Sequence, residues 1–164
     1  MFNFTPLAGA QTASCASQSL LELDGGVKVL IDVGWDESFS VDKLRNLEQH
    51  VPTLSLVLLT HATVAHLAAF AHCCKHFPLF TRVPIYATTP VIQLGRTLLQ
   101  DLYSSSPLAA TIIPGASDSH GSVAYPSSGT GEHESHILLE KPTNDEIASY
   151  FARIHPLKYS QPHE

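Results

Sequence analysis

Apolar residues along this chain follow two rhythms, and these outline its elements. Residues 2–7 alternate weakly, with Phe2 and Phe4 apolar, until Pro6 interrupts them. That predicts a short edge strand, because proline withholds a ladder donor. Residues 17–23 lead into Asp24-Gly25-Gly26, and residues 27–32 carry Val27, Val29, Leu30 and Ile31. Two apolar runs around a Gly-Gly turn predict a β-hairpin. Residues 54–60, Leu-Ser-Leu-Val-Leu-Leu-Thr, are apolar enough for a strand buried on both faces.

The other rhythm is helical. Ser40 is a candidate cap for a helix over residues 41–50, with Val41, Leu44 and Leu47 on one face. Residues 66–76 place Leu67, Phe70, Ala71 and Cys74 near one stripe. After a short strand over residues 84–88, Thr89 and Pro90 suit the N-cap and first helical positions of a helix reaching Tyr103. Residues 104–142 turn rich in Ser, Gly and Pro and read as a flexible loop or insertion. Thr143-Asn144-Asp145-Glu146 is a capping box that opens a helix to about residue 154, and a last strand is expected over 155–159. Strands first paired by a hairpin and then alternating with helices predict an α/β or α+β domain.

Composition narrows the possibilities. The 164 residues are 44% hydrophobic but only 15% charged, against roughly 25% charge in an ordinary soluble domain. No apolar run approaches the ~20 residues that span a bilayer, so no membrane is expected. Either the core is large for the length, or apolar surface is reserved for neighbours. The net charge is −6 and no run of Lys or Arg occurs, which argues against autonomous binding to nucleic-acid phosphates. Cys15, Cys73 and Cys74 are odd in number and partly adjacent, unlike a disulfide framework and in keeping with a reducing compartment. Residues 1–6 have neither the positive nor the apolar region of a secretory signal.

Ten histidines are an excess, and they suggest three places for chemistry. In Thr60-His61-Ala62-Thr63-Val64-Ala65-His66, two imidazoles sit where a buried strand yields to a loop and a helix, the position from which scaffolds present ligands. The earlier strand ends in Asp32-Val33-Gly34, so a carboxylate can reach the same sheet edge. A His/His/Asp cluster suits a divalent metal; two partly exposed loop histidines are the plainer alternative. The second place is His72, Cys73, Cys74 and His76, with the histidines one helical turn apart; core packing is the plainer explanation. The third, His133-Glu134-Ser135-His136, lacks zinc-protease spacing and reads as solvated loop. Neither a Gly-x-Ser-x-Gly elbow nor a phosphate-binding glycine loop is present.

The strand ending in Asp32-Val33-Gly34-Trp35, the helix after it and Leu58-Leu59-Thr60-His61 together resemble the metallo-β-lactamase fold. There the strand is followed by His-x-His-x-Asp-His, which supplies four ligands to two metals. Here His61 and His66 stand at the first and last of those positions, Thr63 replaces the second His, and Ala65 replaces the Asp. Ile85-Tyr86-Ala87-Thr88-Thr89-Pro90-Val91, then Gly95, then Asp101-Leu102-Tyr103 resembles the metallo-β-lactamase/β-CASP subunits of the pre-mRNA cleavage and polyadenylation factor. The degenerate motif resembles the subunit 2 family of the cleavage and polyadenylation specificity factor, the non-catalytic partner of the endonuclease subunit. Residues 143–161, ending in Leu157-Lys158-Tyr159-Ser160-Gln161, fit that family too.

The resemblance implies an αββα sandwich of which this chain is the N-terminal portion. Residues 1–103 and 143–164 would belong to the domain and 104–142 would be an insertion. It implies no catalytic residues and no cofactor, with His61 and His66 as vestigial metal positions and Asp32 in a supporting role. The implied partners are the other subunits of the factor, including the paralogous endonuclease, with RNA reached through the complex, in the nucleus. The alternative is a zinc-dependent nuclease or hydrolase using His61 and His66.

Overall fold

The computed structural model describes residues 1–10, 13–105, 111–114 and 136–160. In chain order its strands and helices are β1 (Phe2–Ala8), β2 (Gln18–Leu23), β3 (Lys28–Ile31), α1 (Arg45–His50), β4 (Leu56–Leu59), α2 (Val64–Leu67), α3 (Phe70–His76), β5 (Ile85–Thr88), α4 (Thr89–Ser105), β6 (Thr111–Pro114), β7 (His136–Leu139), α5 (Asn144–Phe151) and β8 (His155–Leu157). Short 3₁₀ turns precede α1, follow it, and precede β5.

Six strands form one sheet in the order β1-β2-β3-β4-β5-β8. The β1–β2 and β2–β3 pairs are antiparallel, so the predicted hairpin and edge strand are both present. From β3 onward neighbours run parallel, and each parallel step crosses over through helix, as parallel strands require. The chain is therefore α/β, as expected.

Leu30, Val57, Leu59, Ile85 and Ala87 share one face of the sheet and are buried with Leu47, Phe70, Leu99, Ile147 and Phe151 from the helices. The other face differs from expectation. Leu56 and Leu58 alternate with buried Val57 and Leu59 and remain half-covered, so β4 is fully buried on one face only. In register with them, Ile31 and Tyr86 are half-covered as well. The helices packed on the first face account for the contrast.

Two predicted helices are broken or start late, for identifiable reasons. The single helix expected over residues 66–76 is two, broken at Ala68 and Ala69. The bond that would join Ala69 N–H to the Ala65 carbonyl is not made: Ala69 N–H donates to Val33 O at 3.1 Å, and Ala65 O accepts from Ser17 N–H at 2.7 Å. Both groups are thus satisfied by the loop beyond β3 and by the entry to β2. Ser40 makes no side-chain cap, and residues 41–44 form a 3₁₀ turn ahead of α1. The Ser40 carbonyl instead accepts the indole N–H of buried Trp35 at 3.0 Å.

The capping box at α5 is present in both directions. Thr143 Oγ1 accepts from Glu146 N–H at 3.2 Å, and Glu146 Oε2 accepts from Thr143 N–H at 2.7 Å. The helix ends at Phe151, three residues before the expected stop, and Ile154 N–H closes a turn onto Phe151 O. Most of the 104–142 stretch lies outside the described residues. Within it β6 and β7 pair antiparallel, Ile112 opposite Leu138 and Ile113 opposite Ile137, where only loop was expected.

Candidate functional site

Asp32, His61 and His66 meet at the C-terminal edge of β3 and β4, each offering one ligand atom, all within 4.8 Å of one another. Backbone crossings place them. Beyond β3, Val33 N–H donates to His66 O at 2.8 Å, and Gly34 N–H donates to Ser17 O at 3.0 Å. A side chain on Gly34 would meet the Ala65 carbonyl oxygen at 1.6 Å, so only glycine permits this approach. The segment bearing His66 is thereby laid across the end of β3, beside Asp32.

Asp32 is buried and has φ +62°, a left-handed conformation that Asp tolerates better than most residues. Its Oδ1 accepts from Thr60 N–H at 2.8 Å and from the Thr60 hydroxyl at 2.9 Å; its Oδ2 lies 2.8 Å from the same hydroxyl and 3.4 Å from that of Ser17. The Thr60 hydroxyl has one proton and points it at the carboxylate, so the His61 Nδ1 at 2.7 Å must donate to Thr60 Oγ1. The network thus places a proton on His61 Nδ1. Thr63 precedes α2 in the N-cap position but makes no side-chain cap; its hydroxyl sits 2.7 Å from His66 Nδ1. The two imidazoles tilt together with centroids 4.7 Å apart.

This donor set does not fit the two-metal centre that an intact His-x-His-x-Asp-His motif builds. Ala65 has no donor atom, Thr63 turns its hydroxyl to His66, and both Asp32 oxygens are engaged by Thr60. A two-metal site must activate water and clamp both oxygens of a displacement, and two imidazoles do not supply ligands for two ions.

The other two candidates part company. His72 and His76 stack with ring centroids 4.5 Å apart, but Cys73 and Cys74 are buried in the core and no metal-holding group forms there among the described residues. His72 is buried against Trp35, with centroids 5.0 Å apart, and its Nε2 has no partner among the described residues. Burial, helped by His76, pushes its pKa down to about 3, so it is neutral. Burial raises both thiols well above their ordinary range, which makes them poor nucleophiles and ligands. Of His133-Glu134-Ser135-His136, the first three residues lie outside the described residues and His136 opens β7. Thr60 and Ser17, which hold Asp32, were missed in the sequence; the only available signal was a hydroxyl directly after one strand and directly before another.

A model for the metallo-beta-lactamase superfamily domain matches residues 20–164. A probable cleavage and polyadenylation specificity factor subunit 2 from Drosophila melanogaster is 40% identical over 86 residues, 52% of this chain and 11% of that protein. The cleavage and polyadenylation specificity factor subunit 2 of Oryza sativa is 39% identical over 101 residues, 62% of this chain and 13% of its own. Cleavage factor two protein 2 of Saccharomyces cerevisiae is 34% identical over 86 residues, covering 49% of this chain and 10% of that protein. The aligned part of this chain thus spans about a tenth of the length of each relative.

Proposed function

The chain belongs to the metallo-beta-lactamase superfamily, and from that membership we propose that it serves as a non-catalytic, structural part of the nuclear machinery that cleaves and polyadenylates pre-mRNA. The observation that carries the reading is the site itself. The motif reads His61-Ala62-Thr63-Val64-Ala65-His66, and the nearby carboxylate of Asp32 is held by Thr60 rather than offered to an ion. The names of the similar proteins, each a subunit 2 or cleavage factor protein, support the process.

In this reading the domain acts by contact. It joins the other subunits, the paralogous endonuclease among them, and meets RNA as part of the assembly. The vestigial His61 and His66 then serve the loop rather than a reaction, through their hydrogen bonds to Thr60 and Thr63. The test is elemental analysis of the purified chain together with a ribonuclease assay. Less than stoichiometric zinc and no cleavage are expected; about two zinc atoms per chain, the complement of a two-metal hydrolase, would overturn the reading.

A second reading has one observation in its favour, the approach of Asp32, His61 and His66 to within 4.8 Å. A hydrolase with a single zinc would use His61 and His66 as ligands and take Asp32 from Thr60. It requires metal-dependent activity that disappears in His61→Ala. Activity surviving both His61→Ala and His66→Ala removes it.

A further inference from the structure

At the opposite end of the parallel strands from Asp32, the start of β5 and the start of β8 border a cavity of about 380 Å³. We infer that this cavity binds a small organic phosphate, with Arg82 and Arg153 on the phosphate and the Val83–Ile85 wall against the organic part.

The electrostatics point to an anion. Arg82, Arg153 and His155 line the cavity, and among the described residues no Asp or Glu does. The ion pairs among the described residues involve Lys28, Lys43, Arg45, Lys75 and the N-terminus, and neither arginine takes part in one. That is unusual placement in a chain with 15 acidic and 9 basic residues, where most cations have acids to choose from. On α5, whose Tyr150 lines the cavity, Glu146 sits one turn earlier and is already bound by Lys75 and by the Thr143 backbone.

Geometry favours phosphate among anions. Arg153 donates one N–H to the Thr81 carbonyl, which anchors its guanidinium at the cavity and leaves other donors of the fork without a partner among the described residues. A planar fork matches the oxygens of phosphate in pairs, and the guanidinium sheds water more easily than an ammonium. Val83, Pro84 and Ile85 give the cavity an apolar wall beside these charges. An apolar wall with a few convergent polar groups, at a volume within the usual 300–1,000 Å³ of ligand pockets, suits a molecule larger than a bare ion. Inorganic phosphate and a nucleoside monophosphate share the recognised group and differ in the rest.

The test is a titration of the ¹⁵N-labelled chain followed by ¹H–¹⁵N correlation spectra, with inorganic phosphate, adenosine 5′-monophosphate and adenosine as three probes. Saturable shifts confined to the backbone around Arg82–Ile85 and Arg153–His155 are expected with both phosphates, stronger for the nucleotide, and none with adenosine. Arg82→Gln is expected to weaken nucleotide binding about tenfold, the loss of a charged hydrogen bond, while Lys158→Gln leaves it unchanged. Arg82 is exposed with no side-chain bond among the described residues, so thermal melting of Arg82→Gln should match the parent. Arg153→Gln keeps a donor for Thr81 and is the second variant, expected to weaken binding in the same direction. Adenosine binding as tightly as its phosphate, shifts scattered over all cationic sites, no saturable shift with either phosphate, or full affinity in Arg82→Gln would each overturn the inference.

Discussion

Both carboxylate oxygens of Asp32 face one hydroxyl, with Thr60 Oγ1 at 2.9 Å from Oδ1 and 2.8 Å from Oδ2. The same carboxylate takes the Thr60 backbone N–H at 2.8 Å. Asp32 therefore pins the end of β4 to the end of β3. Asp32→Ala would orphan the Thr60 N–H and place alanine at φ +62°. A loss of about 2–4 kcal/mol is expected from those two effects. Asp32→Asn keeps an acceptor and tolerates the backbone, so it should lose about half as much. Urea denaturation of the two variants checks the order, and equal stability would show that Asp32 carries no such load.

Gly34 and Gly25 provide a matched pair for backbone constraint. Gly34→Ala sets a methyl 1.6 Å from the Ala65 carbonyl oxygen, which is backbone and cannot swing away. Gly25→Ala meets nothing within 4 Å but stays at φ +88°. The second change should lose only about 1–2 kcal/mol, whereas the first should lose more than about 4 kcal/mol and abolish the cooperative melt. Circular dichroism on both variants distinguishes them. A normal melt for Gly34→Ala contradicts the crossing described above.

His72 sets a pH dependence. Its folded pKa of about 3 lies below the ordinary 6.5, because burial against Trp35 disfavours the charged ring and His76 adds to that. In the unfolded chain the ring takes a proton as pH falls through 6.5; in the folded chain it does so only near 3. Stability is therefore undiminished above pH 6.5 and falls as the pH drops from there toward 3, by about 1.4 kcal/mol per unit for this group alone. His76, whose pKa burial also lowers, acts in the same direction. Urea midpoints at pH 7 and pH 5 should separate in the parent and move closer together in His72→Phe. An unchanged separation in the variant would place the pH dependence elsewhere.

The capping box at α5 offers a milder perturbation. Thr143→Ala removes the acceptor for Glu146 N–H and should cost about 1 kcal/mol. Glu146→Gln preserves the bond back to Thr143 N–H but weakens the contact with Lys75, 2.9 Å away. Since that pair is partly exposed, its loss should be under about 1 kcal/mol. Thermal melts rank the two, and a larger effect for Glu146→Gln would assign the stability to the ion pair.

Alternation and capping signals made much of this fold legible, including the hairpin, the edge strand with Pro6, the strands that alternate with helices and the Thr143 box. The break at Ala68 and Ala69 was not legible, because Ser17 and Val33 cause it from distant parts of the chain. For the same reason the half-covered row of Leu56 and Leu58 escaped a reading of β4 alone, which measures hydrophobicity and not the placement of helices. In the 104–142 stretch, Ser/Gly/Pro composition masked the short apolar runs of β6 and β7. At the site, His61, His66 and Asp32 could be nominated from strand ends, but the proton order from His61 through Thr60 to Asp32 required distances.

The hydrogen bonds diverted at Ala65 and Ala69 also bear on how the molecule assembles. One needs the entry to β2, and the other the loop after β3, to meet the segment after β4, so the loop holding His66 depends on contacts of long sequence separation. Such contacts cost loop-closure entropy before they contribute, which slows folding. These bonds seat the His66 segment on the end of β3, so a probe on the His66 ring is expected to report long-range closure rather than local helix formation.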